Sequence, residues 1–450
     1  MKKLILVNSP LIRERFQEGE QFLPPLGLGY IATHTSKAGI DTEIIDTLYE
    51  SLSVEKLIAL IKVKQPDFVG LNVFSPNLEI VKEIISMLPL HITVVLGGQV
   101  MKSIYKDIMG WNTQHKIIMI FGEGELIFPK IIEGKVEEPP IEENDLCKVY
   151  SVSCKSIYFP RLLADVQLER RLFADRALIN PYGLKEACMI SSRGCLYNCA
   201  FCGAANKNNR DTYPRHREKA DIIEEIHSIK SLSPDVECIR MLDDLFLSNR
   251  KSILNAIDIF TDVNLKWRAM CHALSLKNNE DLLQKLQSSG CVELFIGIES
   301  GSKRIRNKIH KLGELEYIQY IIKRLLTMGI SVKGYFMYGL PEESLEDMKE
   351  TFEFARSLHN LAEDTLGNFR NSTFQFRPYH GTELYHKIIA GDNNIKSFSL
   401  DRSMSDFSGR QQFNIVAGNY SDCDQEIVED FIRRTERLNH EQYSRANKKM

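Results

Sequence analysis

The sequence predicts an α/β protein made of a doubly wound parallel sheet followed by a partial (β/α)6 barrel, with a small, mostly helical C-terminal region. Strand-like apolar runs alternate with helical patterns along most of the chain, as is typical of parallel sheets. The chain also has 450 residues, more than one ordinary core accommodates. We therefore divide it into a sheet domain over 1–135, a bridge over 136–180, a barrel over 181–390 and a C-terminal region over 391–450.

The composition is typical of a soluble globular protein and argues against nucleic acid or membrane partners. It is 43% hydrophobic and 26% charged, with a net charge of −3, so neither nucleic acid nor an anionic membrane is expected as a partner. The first apolar run, Leu4–Val7, is too short for a signal peptide. Seven of the ten cysteines are scattered, which suits a reducing compartment, and we expect a cytoplasmic protein.

Five apolar runs in residues 1–135 predict a flavodoxin-like sheet of five parallel strands, each followed by a helix. The strands are predicted at Leu4–Asn8, Thr42–Asp46, Phe68–Phe74, Ile92–Leu96 and Ile117–Phe121. Such sheets bind ligands beyond the carboxyl ends of their strands. The phosphate-binding fingerprint G-x-G-x-x-G is absent after the first strand, so an ordinary dinucleotide site is not expected.

The barrel is predicted from six further strands that alternate with helices. The predicted strands are 187–192, 236–242, 266–272, 291–298, 331–338 and 373–378, and the predicted helices are 219–231, 249–261, 279–288, 314–328 and 344–358. Six units are fewer than the eight of a closed barrel, so the barrel is expected to be open. Its chemistry should collect at the carboxyl ends of the strands.

Three cysteines after the first barrel strand are the strongest candidates for metal ligands. Cys195, Cys199 and Cys202 have the spacing C-x3-C-x2-C, with Phe201 before the last. Thiolates are soft ligands that suit iron–sulfur clusters and zinc. Three thiolates on a four-iron cluster would leave one iron open to a small molecule. The spacing alone leaves a zinc knuckle or buried thiols as alternatives.

The motif resembles the signature of the radical S-adenosylmethionine (SAM) enzymes, and four later strand ends resemble family segments in the expected order. These are Asp243-Asp244-Leu245-Phe246, Gly297-Ile298-Glu299-Ser300-Gly301, Gly339-Leu340-Pro341 and Pro378-Tyr379-His380-Gly381-Thr382. The sequence departs from the family at Glu342, where glycine is usual, and at His380, where proline is usual. The resemblance implies that the cysteines hold a [4Fe-4S] cluster, and that SAM contacts Phe201, Asp243, Asp244, Arg268, Glu299, Ser300 and Gly339. For Arg268, a surface salt bridge is the alternative.

The sheet domain is similar to the cobalamin-binding domain that precedes many radical SAM domains. The similarity lies in Pro24-Pro25-Leu26-Gly27, in Leu96-Gly97-Gly98 and in Gly122-Glu123-Gly124. It implies cobalamin contacts at Asn8, Leu26, Gly27, Ser75, Gly97, Gly98, Gly122 and Glu123. The motif D-x-H-x-x-G is missing, and the first histidine is His34, within a helical pattern. No imidazole is therefore expected on cobalt from the usual loop.

The resemblance as a whole implies a cobalamin-dependent radical SAM enzyme, most often a methyltransferase acting on an unactivated carbon of a small molecule or natural product. One SAM would methylate cobalamin, and a second would give the 5′-deoxyadenosyl radical that activates the substrate. An external flavodoxin or ferredoxin would supply electrons. The alternatives are a cyclase or rearrangement enzyme with the same cofactors and, more remotely, a metal or cobalamin sensor. No general base is identified, and His380 and Arg268 are the candidates for a catalytic role.

The C-terminal region contains a polar loop at Gly391-Asp392-Asn393-Asn394 and a predicted helix near 424–446. Ile427, Phe431 and Leu438 form a sparse apolar stripe on that helix. We expect the helix to pack over the barrel mouth and to cover the substrate pocket.

Overall fold

The structure is a computed structural model that describes residues 1–10, 22–390 and 419–446. The predicted polar loop at Gly391–Asn394 lies outside the described residues. Across the part of the chain that is described, no helix combines the length and the apolar character that a bilayer span requires.

The first domain is built on a twisted sheet whose central strands are parallel. Its strands are β1 (Lys3–Asn8), β2 (Asp41–Asp46), β3 (Phe68–Asn72), β4 (Thr93–Gly97), β5 (Ile117–Gly122), β6 (Glu142–Glu143) and β7 (Cys147–Val152). Their order is β2-β1-β3-β4-β5-β7-β6. The first five strands therefore have the predicted flavodoxin-like order, with its reversal between β1 and β3.

Helices cover both faces of this sheet and bury the branched side chains of its strands. They are α1 (Leu26–Lys37), α2 (Val54–Lys64), α3 (Leu78–Met87), α4 (Met101–Met109) and α5 (Ile127–Glu133). Local signals fix the ends of α2: the Ser53 side chain accepts a hydrogen bond from the Lys56 N–H, and Gln65 ends the helix in the left-handed conformation.

The segment 136–180 differs from the predicted bridge, because it contributes strands to both sheets. β7 pairs in parallel with β5 and is in turn paired with β6 in the antiparallel direction. The short β8 (Leu178–Ile179) pairs with the first strand of the barrel sheet. Lys148 and Ser151 interrupt the apolar run of β7, so its sequence does not have the continuous pattern of a buried strand.

The second domain is the predicted open barrel. Its six parallel strands are β9 (Lys185–Met189), β12 (Cys238–Met241), β13 (Lys266–Cys271), β14 (Cys291–Glu299), β15 (Ser331–Tyr338) and β16 (Phe369–Gln375), while β10 (Ser192–Arg193) and β11 (Arg215–His216) form a separate ribbon. The strand order is β16-β15-β14-β13-β12-β9-β8. The last strand begins four residues before its predicted start, because the polar residues Arg370, Asn371 and Ser372 interrupt the apolar pattern there.

Helices on the outer side complete each strand–helix unit. They are α6 (Lys219–Leu232), α7 (Arg250–Val263), α8 (Leu283–Ser288), α9 (Lys303–Lys308), α10 (Leu315–Thr327), α11 (Leu345–Leu361) and α12 (Glu383–Ile389). Stacked Phe260 and Trp267 rings lie in the apolar core between these helices and the sheet.

The sequence predicts that the last helix packs over the barrel mouth. In the structure this helix, α13 (Gln425–Ala446), does not lie there. Val428, Phe431 and Ile432 belong instead to the apolar core between the sheet and the outer helices. Phe431 stacks on Tyr338 at 5.8 Å between ring centroids, and Thr435 Oγ1 lies 2.8 Å from the Tyr338 hydroxyl. The helix thus covers the outer face of the last two strands and seals that side of the barrel.

Candidate cofactor site

One large cavity lies between the two domains, at the carboxyl ends of both sheets. Its volume is about 860 Å³, and residues of both domains line it. Phe74 of the sheet domain and Tyr379 of the barrel are large side chains that are more than one-third exposed there. Seven of the eight predicted cobalamin contacts line this cavity: Asn8, Gly27, Ser75, Gly97, Gly98, Gly122 and Glu123.

The floor of the cavity is bare backbone over a wide area. A Cβ atom added at Gly27 would meet nothing within 4 Å, and one added at Gly97 would meet only the Ile120 carbonyl oxygen, at 4.0 Å. Gly98 and Gly122 have φ angles of 132° and 92°, which favour glycine. Such a floor fits a broad, flat group that lies on the strand ends. Cobalamin has that shape, so the residues present fit it.

Leu26 is the exception among the predicted cobalamin contacts. Its side chain is 3% exposed and lies in an apolar cluster with Tyr30, Leu163 and Val166. It therefore packs α1 against the segment that follows β7. The glycine beside it, Gly27, is the residue that faces the cavity.

A chain of amides fixes the strand end beside the topological reversal. The Asn8 Nδ2 group donates to Asp46 at 2.7 Å, and Asn8 Oδ1 accepts from Asn72 Nδ2 at 2.8 Å. Arg176 binds the other oxygen of Asp46 at 2.7 Å. Asn8 is therefore held rigidly at the cavity wall, with both ends of its amide group already bonded.

Ion pairs join the sheet domain to the start of the loop that carries Cys195, Cys199 and Cys202, here called the cysteine loop. Arg193 binds Glu125 at 2.6 Å and also pairs with Glu123. Glu123 pairs in addition with Arg215, which lies on the strand facing Arg193. These partly buried, shared pairs hold the loop above the glycine floor. Glu123 is thus at the cavity, as predicted, but it also holds the two domains together.

The cysteine loop is anchored to the barrel through Ala200. The Ala200 N–H donates to the Ile309 carbonyl at 3.0 Å, and the Ala200 carbonyl accepts from the Leu384 N–H at 3.0 Å. The ring of Tyr197 stacks on His272 at the end of β13, with centroids 4.1 Å apart. The loop therefore has a fixed path even though it contains little regular structure.

Cys195, Cys199 and Cys202 are free, half-buried thiols of this loop. Burial raises the pKa of all three, to about 12 for Cys202, on which Cys199 and Cys195 also act electrostatically. Within the described residues, no three His, Cys, Asp or Glu side chains converge as the ligands of a single metal ion do. Thiolates are soft donors that suit iron–sulfur clusters. The donor set fits a cluster.

The cysteine loop and the glycine floor meet directly. Cys202, Gly203 and Phe201 all line the cavity. A Cβ atom added at Gly203 would lie 3.0 Å from the side chain of Gln99, which follows β4. Two cofactors bound at these positions would therefore face the same space. Gln99 was not predicted, because its neighbours Gly97 and Gly98 carried the sequence signal.

The two aspartates after β12 have different roles. Asp243 is 4% exposed and accepts hydrogen bonds from the Ser191 N–H at 3.1 Å and from the Ser191 and Ser192 hydroxyls. Burial raises its pKa to about 6. Asp244 is open to the cavity, although the protein around it desolvates the carboxyl group and raises its pKa. Asp244 is therefore the member of the predicted pair that is available to a ligand.

Glu299 lies at the end of β14 and forms a shielded pair with a lysine that sequence reasoning missed. Lys311 Nζ lies 3.1 Å from Glu299 Oε1, and both side chains are largely buried. Burial lowers the pKa of Lys311, but the charges of Glu299 and Cys199 outweigh it, so that the pKa is raised. Glu299 also has a φ angle of 69°, rare for a side-chain-bearing residue. Lys311 sits in a polar turn with no periodic or motif signal.

The other predicted SAM residues at these strand ends act mainly on the turns. The Ser300 hydroxyl lies 2.9 Å from Thr351 Oγ1 and accepts from the Ser302 N–H. Gly339 has a φ angle of 81°, and its N–H donates to Glu343 at 2.7 Å. Glu342, which replaces a glycine of the family pattern, still adopts a φ angle of 60°. The turn thus keeps the conformation that glycine would favour.

Arg268 does not face the predicted SAM position. It is 2% exposed and donates to Glu186 at 2.5 and 2.6 Å and to Glu293 at 2.8 Å. Glu293 also accepts from Arg370, and although burial raises its pKa, the two arginines lower it to about 2. The guanidinium of Arg268 is therefore committed to a buried ion-pair network inside the barrel. The surface salt bridge that the sequence left open is also not found.

His380 does lie at the cavity. Its Nδ1 atom is 2.9 Å from Ser75 Oγ, and its backbone N–H donates to the same oxygen at 3.0 Å. Burial lowers its pKa, so the ring is neutral near pH 7. A residue predicted for catalysis and a residue predicted for cobalamin are thus bonded to each other across the domain boundary.

Two family models match the chain, one in each domain. The model described as the Radical SAM superfamily matches residues 189–355, and that described as the B12 binding domain matches residues 16–132. The two matched ranges contain the cysteine loop and the glycine floor, respectively.

Curated relatives resemble the chain over most of its length. An uncharacterised methyltransferase of Pyrococcus horikoshii is 27% identical, over 83% of this chain and 79% of the relative. The cytidylyl-2-hydroxyethylphosphonate methyltransferase of Streptomyces wedmorensis is 23% identical, over 81% and 78%. Among solved structures, the radical SAM methyltransferase TsrM of Kitasatospora setae superposes with a TM-score of 0.66, at 15% identity, over 97% of this chain and 89% of that chain. This last likeness concerns the fold.

Proposed function

Because the chain belongs to the radical SAM superfamily and carries a B12-binding domain, we propose that it is a cobalamin-dependent methyltransferase that modifies an unactivated carbon of a small molecule. The observation that carries this proposal is the single cavity that both the cysteine loop and the glycine floor line. A methyl donor on the floor and a radical source at the loop would then reach the same substrate. The names of the two curated methyltransferases support the same reaction class.

The cofactors of this family combination are a [4Fe-4S] cluster, SAM and cobalamin. When bound, they supply SAM cleavage to a carbon-centred radical and the carriage of a methyl group. Cys195, Cys199 and Cys202 would hold the cluster. The floor at Gly27, Gly97 and Gly98 would support the corrin.

The protein's own residues bind SAM and orient it. The ring of Phe201 lines the cavity beside the cluster cysteines and offers a face to the adenine of SAM. Asp244 can accept hydrogen bonds from the SAM ammonium group, a charge-assisted contact. Glu299 can serve the same ligand while Lys311 keeps its carboxylate in place. None of these groups needs to transfer a proton for the proposed reaction.

The cavity wall also protects the reaction from solvent. Its lining is mainly apolar, and the ion pairs of Arg193 and Arg215 close one side between the domains. Excluding water prevents a reactive radical from being quenched by groups other than the substrate. A rigid pair of domains also keeps the two cofactors at a constant distance.

The proposal includes an external one-electron donor of flavodoxin or ferredoxin type and a cytoplasmic location. The support for the location is chemical: an iron–sulfur cluster and ten free thiols suit a reducing compartment. The support for the donor is that SAM cleavage consumes an electron, which the chain itself does not generate.

A test of the function does not need the substrate. The chain is reconstituted anaerobically with iron, sulfide and hydroxocobalamin, reduced, and mixed with SAM whose methyl group is labelled. We expect about one equivalent of S-adenosylhomocysteine per bound corrin, followed by slow formation of 5′-deoxyadenosine. A cyclase or rearrangement enzyme would give 5′-deoxyadenosine without S-adenosylhomocysteine. A sensor would cleave no SAM. Either of those results would overturn the methyltransferase proposal.

A further inference from the structure

The charged side chains that line the cavity are matched in pairs, with one notable exception among the cations. Lys102 Nζ lies 2.8 Å from Asp211, and Arg193 lies 2.6 Å from Glu125. Arg377, which lies two residues after the end of β16, also lines the cavity, but within the described part of the chain it has neither an ion pair nor a hydrogen-bond acceptor for its Nε atom. It is 7% exposed.

A buried guanidinium without a partner is costly to keep. An arginine stays charged in proteins, and removing such a charge from water is unfavourable unless an anion or hydrogen bonds compensate for the lost hydration. Burial lowers the pKa of Arg377, and of the groups that act on it only Tyr379 opposes this effect. Across residues 1–10, 22–390 and 419–446, the protein therefore holds a cation at the cavity wall without an ion-pair partner that would neutralise it.

The acids that line the cavity do not fill this role. Glu123 and Glu125 already bind arginines of the cysteine loop and its neighbouring strand. Asp244 lines the cavity but is not among the groups that act on Arg377. None of the described acids that line the cavity neutralises Arg377, which leaves this role to the anion of a molecule that enters the cavity. A guanidinium presents a planar fork of N–H donors that matches two oxygens of a carboxylate or phosphoryl group.

We propose that Arg377 binds a carboxylate or phosphoryl group of the methyl acceptor, so that the substrate is an anionic small molecule held between the cysteine loop and the glycine floor. This inference rests on the proposed function and names its substrate class. The acceptor is favoured over SAM because the open iron of the cluster already provides a cation for the SAM carboxylate. It is favoured over the phosphate of cobalamin because Arg377 belongs to the barrel and not to the sheet domain that carries the glycine floor.

The test uses inorganic phosphate and acetate as probes of the reconstituted protein. The bound corrin is reduced to its paramagnetic cobalt(II) state, which broadens the nuclear magnetic resonance lines of anions that bind nearby. We expect saturable broadening of the phosphate or acetate signal with the wild-type protein. Arg377→Met should weaken it by about tenfold to a hundredfold, and Arg377→Lys by less, since lysine keeps the charge without the fork.

The controls separate the possible sources of the anion. Arg356→Met removes an exposed arginine on α11 that pairs with Glu353 and should leave the broadening unchanged. If the Arg377 variants lose affinity for SAM or bind less corrin, the residue serves a cofactor and the proposal is wrong. Saturable broadening that survives in Arg377→Met, or its absence in the wild type, would also overturn it. Because no turnover is needed, failure of the methyltransferase proposal would be seen separately, as missing S-adenosylhomocysteine.

Discussion

The ring of His380 and the hydroxyl group of Ser75 are bonded across the boundary between the two domains, with Nδ1 and Oγ 2.9 Å apart. The same hydroxyl oxygen accepts the backbone N–H of His380 at 3.0 Å. The neutral ring can accept a hydrogen bond from the hydroxyl group, so all three groups are satisfied at once. This contact links the last barrel strand to the sheet domain at the rim of the cofactor cavity.

We predict that Ser75 and His380 are energetically coupled. In a double-mutant cycle with Ser75→Ala and His380→Phe, the free energies of unfolding should deviate from additivity by about 1 kcal/mol, as expected for one net hydrogen bond. The corrin dissociation constant should rise in both single variants. The control is Ser86→Ala on α3, whose hydroxyl bonds only within its helix and should be additive with His380→Phe. Full additivity of Ser75 with His380 would contradict the contact.

We predict that Cys202→Ala abolishes cluster assembly. The remaining two thiols cannot hold a cubane, so the brown absorbance after anaerobic reconstitution and the cleavage of SAM should both be lost. Cys154→Ala removes a free thiol outside the cysteine loop and should keep both. Iron content, sulfide content and 5′-deoxyadenosine are the measurements. A coloured Cys202→Ala protein that still cleaves SAM would refute the assignment of the ligand set.

We predict that Arg268 contributes to stability and not to SAM binding. Arg268→Met leaves Glu186 and Glu293 with fewer partners inside the barrel, and the free energy of unfolding should fall by about 3–5 kcal/mol. Arg250→Met, which breaks an exposed pair with Asp281, should leave the free energy of unfolding nearly unchanged. Denaturant titration measures both. The alternative role would show itself as a stable Arg268→Met protein with a weakened SAM affinity.

We predict that Glu342→Gly stabilises the protein. Glu342 has a φ angle of 60°, and glycine adopts that conformation without the penalty of about 1–2 kcal/mol that a side chain brings. The ion pair it forms with Lys308 is partly exposed and contributes little. Glu346→Gly, a matched change inside α11, should instead destabilise by about 1 kcal/mol. Equal destabilisation by the two substitutions would show that the turn is not strained.

We predict a pH-dependent contribution from Glu343. This carboxyl group is buried, and its desolvation raises the pKa from 4.5 to about 8 in spite of the bonds it accepts from Gly339 and Leu340. A raised folded-state pKa means that its contribution is fully present below about pH 4.5 and is lost as the pH rises through about 8. Relative to wild type, Glu343→Gln should therefore become more stable across that window, by up to about 1.4 kcal/mol per pH unit. A stability difference that does not change with pH would rule out the raised pKa.

The sequence predicts the strand-end motifs well because each of them is local. Cys195 to Cys202, Gly97-Gly98 and the turn after β15 depend on spacing and on backbone conformations that a short segment carries with it. The five central strands of the first sheet and the six parallel strands of the barrel follow equally from apolar runs. The sequence therefore places these motifs correctly at the carboxyl ends of their strands.

The remaining features depend on contacts between distant segments. Arg268 lies in an apolar strand, and nothing near it shows that Glu186 and Glu293 meet it inside the barrel. The roles of Lys311 and Arg377 depend on residues that are close in space but not adjacent in the sequence. The predicted position of α13 was wrong for a related reason. Its apolar stripe shows that one face of the helix is buried but does not show which surface that face covers.

The pairing of β7 with β5 has a practical consequence for dissecting the molecule. A fragment that ends at residue 135 would lack β7. The backbone donors and acceptors of β5 that bond to β7 would then be unpaired at the edge of the sheet. Uncovered edges of this kind template association between copies of a chain. Expression of the corrin-binding half by itself should therefore extend through Val152, so that its own final strand caps the sheet.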